Sequence, residues 1–127
     1  MPMTIDQGKI DEFVSNIAME FMRGTLILLL LLVIDKKGAT HGYEIIQEIF
    51  TESKDLEGHT SVELSSGIKL KEGTIYPHLN KLNALGFLES WWDRNRRMYK
   101  LTPAGIELLA RIKNTYQYFG TVMKKFL

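Results

Sequence analysis

Between Leu26 and Ile34 the chain runs Leu-Ile-Leu-Leu-Leu-Leu-Leu-Val-Ile, nine apolar residues without a polar break. A helix of that composition has no side to turn toward water, so it has to lie at the centre of a fold with other elements packed around it. The run is about half of the roughly 18 apolar residues that a membrane span requires, which predicts a core helix and no membrane partner. The helix is expected from Thr25 to about Lys37, with Gly38 as its C-terminal cap.

The flanking segments supply what such a core helix needs. Thr4-Ile-Asp-Gln7 has the form of a capping box, and Ile10, Phe13, Val14, Ile17 and Phe21 then recur as one face of an amphipathic helix. Arg23-Gly24 is expected to interrupt it. Thr40 suits the N-cap of a third helix, His41 to about Glu52, in which Tyr43, Ile46, Ile49 and Phe50 share a face. Residues 53–67 mix polar and small residues without a period and read as a loop, and Ile68-Lys-Leu70 alternates as a short strand would. A helix from about Glu72 to Leu85 follows, with Ile75, Leu79 and Leu82 as its buried stripe and Gly86 closing it. Pro77, placed beyond the first turn, should bend that helix or free the carbonyl of Gly73.

Phe87 to Trp92 and Met98 to Leu101 are aromatic-rich, β-prone runs on either side of Asp93-Arg-Asn-Arg-Arg97, a hairpin in which Asn95 tolerates the left-handed conformation. Thr102-Pro103 then starts a last helix, with Leu101 and Ile106 placed for a hydrophobic staple. In it Leu109, Ile112, Tyr116, Phe119, Met123 and Phe126 alternate in steps of three and four, the spacing of a heptad seam, which calls for a partner helix. That partner is a second copy of the chain, the chain's own first helix, or both.

The net charge of +1 conceals an asymmetry. Residues 1–66 carry five basic and eleven acidic side chains, net −6, whereas residues 67–127 carry eleven basic and four acidic, net +7. Phosphate binding follows local potential, so a basic half beside an acidic scaffold points to nucleic acid. The helix and hairpin of that half offer the residues. Thr74, Tyr76, Asn80 and Lys81 lie along the helix, Lys69 and Lys71 at its entrance, and Arg94, Arg96 and Arg97 on the hairpin, where only Glu89 and Asp93 stand near in sequence to balance them. Tyr43 and His41 start the preceding helix, whose free N–H groups suit phosphate.

Other chemistries find no support. Cysteine is absent, which excludes disulfides and thiolate metal sites and fits a reducing cytoplasm. His41, His59 and His78 have no metal-ligand spacing, and no catalytic set or phosphate-binding glycine loop stands in motif context, so neither enzyme, metal nor cofactor is expected. No basic region followed by a small-residue cleavage site marks a secretion signal.

Arg23-Gly-Thr-Leu26, His41-Gly-Tyr-Glu-Ile45, Glu72-Gly-Thr-Ile-Tyr-Pro77 with Leu79, Leu82 and Gly86, and Arg96-Arg-Met-Tyr-Lys-Leu-Thr-Pro-Ala-Gly105 come in an order and at spacings that resemble the PadR-like transcriptional regulators, over roughly Arg23 to Leu109. Where that family usually has Ser-Pro before the recognition helix, this chain has Lys71-Glu72. The resemblance implies a mainly α fold, a winged helix-turn-helix with a two-stranded wing and a long C-terminal dimerisation helix. One domain over 1–127 is expected, divided into an N-terminal helix at 1–22, the winged helix-turn-helix at 23–101 and the dimerisation helix at 102–127. It also implies a homodimer through the terminal helices, double-stranded DNA as partner and repression relieved by a small ligand. Trp91, Trp92, Tyr116 and Phe119 are the candidates for stacking a small aromatic effector. The rival reading is a winged-helix module whose basic face meets an acidic protein without specific DNA binding.

Overall fold

Gln7–Lys37 forms one uninterrupted helix, α1, of 31 residues. This computed structural model describes residues 6–57 and 72–127, with the backbone alone for 50–57 and Glu72. The expected break at Arg23-Gly24 does not occur. A glycine inside a helix costs only about 1 kcal/mol relative to alanine, and here it has a tertiary purpose: a Cβ on Gly24 would lie 2.8 Å from the hydroxyl of Tyr116. Gly24 therefore seats a side chain of the last helix. The N-cap is Asp6, whose carboxylate accepts from the N–H groups of Gly8 and Lys9; the capping-box residue Thr4 lies outside the described residues.

Because α1 is continuous, part of it is long and apolar enough to meet the length and composition expected of a membrane span, which a count of the uninterrupted apolar run alone did not show. Its C-terminal half is nevertheless the centre of the core. Leu30, Leu31 and Ile34 are fully inaccessible and join Ile45, Ile46 and Ile49, Ile75, Leu79 and Leu82, and Leu88, Tyr99, Leu101 and Leu109 in one cluster.

After Gly38 the chain enters a short strand, β1 (Thr40–His41), and then α2 (Gly42–Glu57). Thr40 is thus a strand residue and not a helix cap. It pairs with Tyr99, and its buried hydroxyl has no partner among the described residues. Helix α2 runs past Glu52 to Glu57, so the first part of the expected loop is helical; 58–67, and the strand expected at Ile68-Lys-Leu70, lie outside the described residues. Its buried face holds Ile45 with Ile46 and Ile49, while Tyr43 is exposed. Lys37 binds Glu44 at 2.9 Å and Lys36 binds Glu48 at 2.9 Å, tying the end of α1 to α2.

A 3-10 turn, Glu72–Thr74, leads into α3 (Ile75–Ala84). Since α3 begins at Ile75, Pro77 falls in its first turn, where the missing N–H would have been unpaired anyway, and no bend is needed. The helix ends in a Schellman motif: Phe87 N–H bonds Leu82 O at 2.9 Å, Gly86 N–H bonds Asn83 O at 3.1 Å, and Gly86 takes a φ of 83°.

Strands β2 (Leu88–Asp93) and β3 (Arg96–Leu101) form the wing, and β1 adds to the far side of β3, so the sheet is three-stranded in the order β1-β3-β2 rather than two-stranded. Thr40 and Tyr99, far apart in sequence, make that pairing, which no local pattern signals. Asp93 pairs with Arg96, leaving a two-residue turn in which Arg94, not Asn95, has the positive φ, at 59°. The left-handed region strains a residue with a Cβ by roughly 1–2 kcal/mol. Arg94→Gly is accordingly expected to raise stability by about 1 kcal/mol, read as a higher urea midpoint at unchanged slope.

Helix α4 (Pro103–Phe126) starts as expected, with Thr102 Oγ1 accepting from Gly105 N–H at 3.1 Å. Ile106 is largely exposed, so a staple to buried Leu101 adds little.

Candidate nucleic-acid interface

Helix α3 is held against α1 and β2 by Ile75, Leu79 and Leu82, all three buried. At 100° per residue its opposite side carries Pro77, Asn80, Lys81 and Ala84, with Tyr76 and Asn83 on one flank. Tyr76, Asn80 and Lys81 are exposed, as is Thr74 in the preceding turn. Tyr76 is also packed: a Cβ on Gly42 would come within 2.6 Å of its ring. Its ring therefore lies on the start of α2 while nearly half of it stays accessible, so packing and outward presentation hold together. Tyr43, one residue further along α2, is exposed beside it in sequence. Lys69 and Lys71 lie outside the described residues.

His78 sits on the α1 side of α3. Burial first, then the charges of Lys81 and Arg23, push its imidazole below the ordinary value of 6.5. The folded protein then binds fewer protons than the unfolded chain below that pH, so this contribution to stability is full above about pH 6.5 and is lost as pH falls through the folded value. His78→Gln removes the effect. Urea midpoints at pH 7.5 and 5.5 should fall less on acidification in the variant than in the wild type.

The three wing arginines do not form one cluster. Arg94 occupies the turn, Arg96 lies on the outer sheet face with its Nη1 3.4 Å from His41 Nε2, and Arg97 lies on the inner face. Its Nε and Nη2 donate to Ser90 Oγ at 3.2 and 2.9 Å, and its guanidinium stands 5.9 Å from the centre of the Trp92 ring. Among the described residues none of the three makes an ion pair, and Asp93 and Glu89 do not neutralise them. His41 also stands 3.5 Å from Glu44, which suits a structural donor. Burial pushes the neighbouring Tyr99 phenol above its ordinary range, with Arg97 opposing. Sequence reading missed Ser90 and Asn83; their signal is positional, since Ser90 alternates with Trp92 on one strand face and Asn83 follows Asn80 by one helical turn.

The outcome is a short helix with a bare polar side, beside a hairpin of unneutralised arginines, on a sheet-capped helical core. The family model for the transcriptional regulator PadR-like family matches residues 30–111, more than half of the chain. The chain belongs to the PadR-like family. Among solved structures, a transcriptional regulator from Clostridium thermocellum is similar at 23% identity and a TM-score of 0.68, covering 85% of this chain and 98% of that one. A PadR family transcription regulator from Clostridium difficile is 25% identical with a TM-score of 0.56, covering 79% and 96%. Escherichia coli MarR shares the fold at 15% identity and a TM-score of 0.55, covering 99% and 88%. No curated protein matches the sequence significantly. The PadR-like assignment makes this a winged-helix transcriptional regulator of the DNA-binding kind.

Two parts of this PadR-like chain differ from expectation around the aromatic side chains. Trp91 and Trp92 point to opposite sheet faces, but neither packs on the core: they are 40% and 67% exposed. The core ends nearer the base of the hairpin, at Leu88 and Tyr99, and the tip extends past it. On α4, Leu109 is buried and Ile112 and Tyr116 are half-buried, with the Tyr116 hydroxyl 3.4 Å from Thr25 Oγ1, so the upper seam packs on the chain's own α1. Phe119, Met123 and Phe126 remain exposed, Phe126 at 81%. Glu20, Phe21, Gly24, Thr115, Tyr116 and Phe119 line an open cleft of about 210 Å³ between α1 and α4. Of the four residues expected to stack an effector, Tyr116 and Phe119 line this cleft, and Trp91 and Trp92 do not.

Proposed function

We propose that this protein is a cytoplasmic, ligand-responsive repressor, not an enzyme, which binds an inverted repeat as a homodimer and folds as one domain over 1–127. The observation that carries the dimer is the apolar surface left on the two terminal helices. Ile10, Phe13, Ile17 and Phe21 on the N-terminal half of α1 are exposed, Phe13 at 68%, together with Phe119, Met123 and Phe126 on α4. A contiguous surface of that kind marks an interaction site, and the heptad spacing on α4 suits helix pairing. Leu109, Ile112 and Tyr116 extend the same seam inward. A two-fold pair of chains holds two α3 helices at a fixed separation, as reading a symmetric site requires.

In this reading Thr74, Tyr76, Asn80 and Lys81 meet the major groove, Lys69, Lys71 and Tyr43 meet flanking phosphates, and Arg94, Arg96 and Arg97 meet the backbone beside it. A small aromatic effector would enter the α1–α4 cleft against Tyr116 and Phe119, and a change in helix angle would alter the separation of the α3 pair.

Selection of bound duplexes from a random pool tests the reading. A symmetric consensus with half-sites about one helical turn apart is expected, together with a sedimentation mass of two chains. An asymmetric consensus, or a single chain at high concentration, counts against it. No duplex binding even at low salt would leave the protein-contact module as the better account.

A further inference from the structure

Arg97 reaches back across its own hairpin instead of outward from it. Its two bonds to Ser90 Oγ, at 3.2 and 2.9 Å, and its place over the Trp92 ring fix the guanidinium on the inner sheet face. Asn83, near the end of α3, completes the group. In the amide orientation that satisfies all its neighbours, its nitrogen donates to Leu88 O at 3.0 Å and its oxygen accepts from Ser90 Oγ and from Arg97 Nη2, both at 3.2 Å. Asn83 is half-buried on the flank of α3, where at 100° per residue it falls about 20° from Tyr76 and about 60° from Asn80, next to the row those two side chains make.

We propose that Asn83 and Ser90 are positioning residues for DNA binding, which lock Arg97 at the end of the Tyr76–Asn80 row so that a wing arginine continues the exposed side of the recognition helix. This rests on the reading of α3 and the wing as the DNA-facing surface. The chemistry favours a lock. Arginine has several donors in a planar fork, and here Nε and Nη2 are held by protein acceptors while Nη1 is left for a phosphate oxygen. A long side chain fixed before binding loses less freedom on contact than one recruited from solvent. The lock also joins β2, β3 and α3, so helix and wing meet the duplex in one registration.

Anisotropy titrations of a fluorescein-labelled, mixed-sequence DNA duplex over a range of salt concentrations test this, with urea melts of each variant alongside. Arg97→Ala should lower the log–log salt slope by about 0.9, one phosphate contact. Ser90→Ala keeps the charge, so it should weaken binding about three- to tenfold with the slope unchanged, and Ser90→Thr, which retains the hydroxyl, should restore it. Asn83→Leu should act as Ser90→Ala does, which covers the case of one variant folding poorly. Wild-type affinity in both folded lock variants, or an unchanged slope in Arg97→Ala, would overturn the proposal. Failure of the wild type to bind any duplex at low salt is a distinct result: it removes the DNA-facing reading and this proposal with it.

Discussion

Replacing Arg94, Arg96 and Arg97 together by alanine is expected to weaken duplex binding on the order of 10²-fold near 0.1 M salt and to lower the log–log salt slope by up to about 2.7, if each neutralises one phosphate. The three side chains are exposed and, among the described residues, make no ion pair that their loss would break. The cost to folding should therefore stay near the small values usual for surface positions, roughly 0.5 kcal/mol, with the lost Arg97 bonds to Ser90 as the main contribution. Affinity and stability thus separate. An unchanged slope with a clear fall in the urea midpoint would make the arginines structural and remove the wing from the interface.

Gly105→Ala is expected to destabilise the fold by about 3 kcal/mol or more, a large effect for one methyl group. A Cβ there would overlap the carbonyl oxygen of Phe87, a backbone atom with little freedom to yield. That oxygen accepts from Thr102 N–H at 3.2 Å, and the adjacent Gly86 carbonyl accepts from Thr102 Oγ1 at 2.6 Å. The end of α3, the base of the wing and the first turn of α4 are therefore joined at one point. The comparison is Gly120→Ala, at an exposed site on the same helix with nothing within 4 Å, where the same substitution should stabilise by about 1 kcal/mol through helix propensity. Urea midpoints of opposite sign bear out the contrast. A Gly105→Ala protein as stable as the wild type would mean that the junction is not as closely built as described.

Features governed by neighbours in sequence were legible without coordinates. The stripe of Ile75, Leu79 and Leu82, the stop at Gly86 and the start at Thr102-Pro103 each rest on geometry within a turn or two, and each is found. What was not legible depends on distant partners. Gly24 looked like a break because its reason, the Tyr116 hydroxyl, belongs to the last helix. Thr40 looked like a cap because its strand partner is Tyr99. Arg94 takes the left-handed position that Asn95 seemed suited to, because the register Asp93↔Arg96 decides which residue comes first in the turn. The candidate site divides in the same way. The exposed residues of α3 could be placed by angle alone, whereas the lock on Arg97 needs three elements brought together, and the two tryptophans could not be sorted without knowing where the core stops.

Helix α1 is about 46 Å long at 1.5 Å per residue, and its buried stretch begins only at Leu26. The part before that is an overhang of about 28 Å. Rotating the rod by 5° about its buried half would carry the free end sideways by roughly 2.5 Å, on this same length. A glycine at the fulcrum, with one tyrosine resting on it, makes Gly24 the place where a small wedge would gain the greatest mechanical advantage.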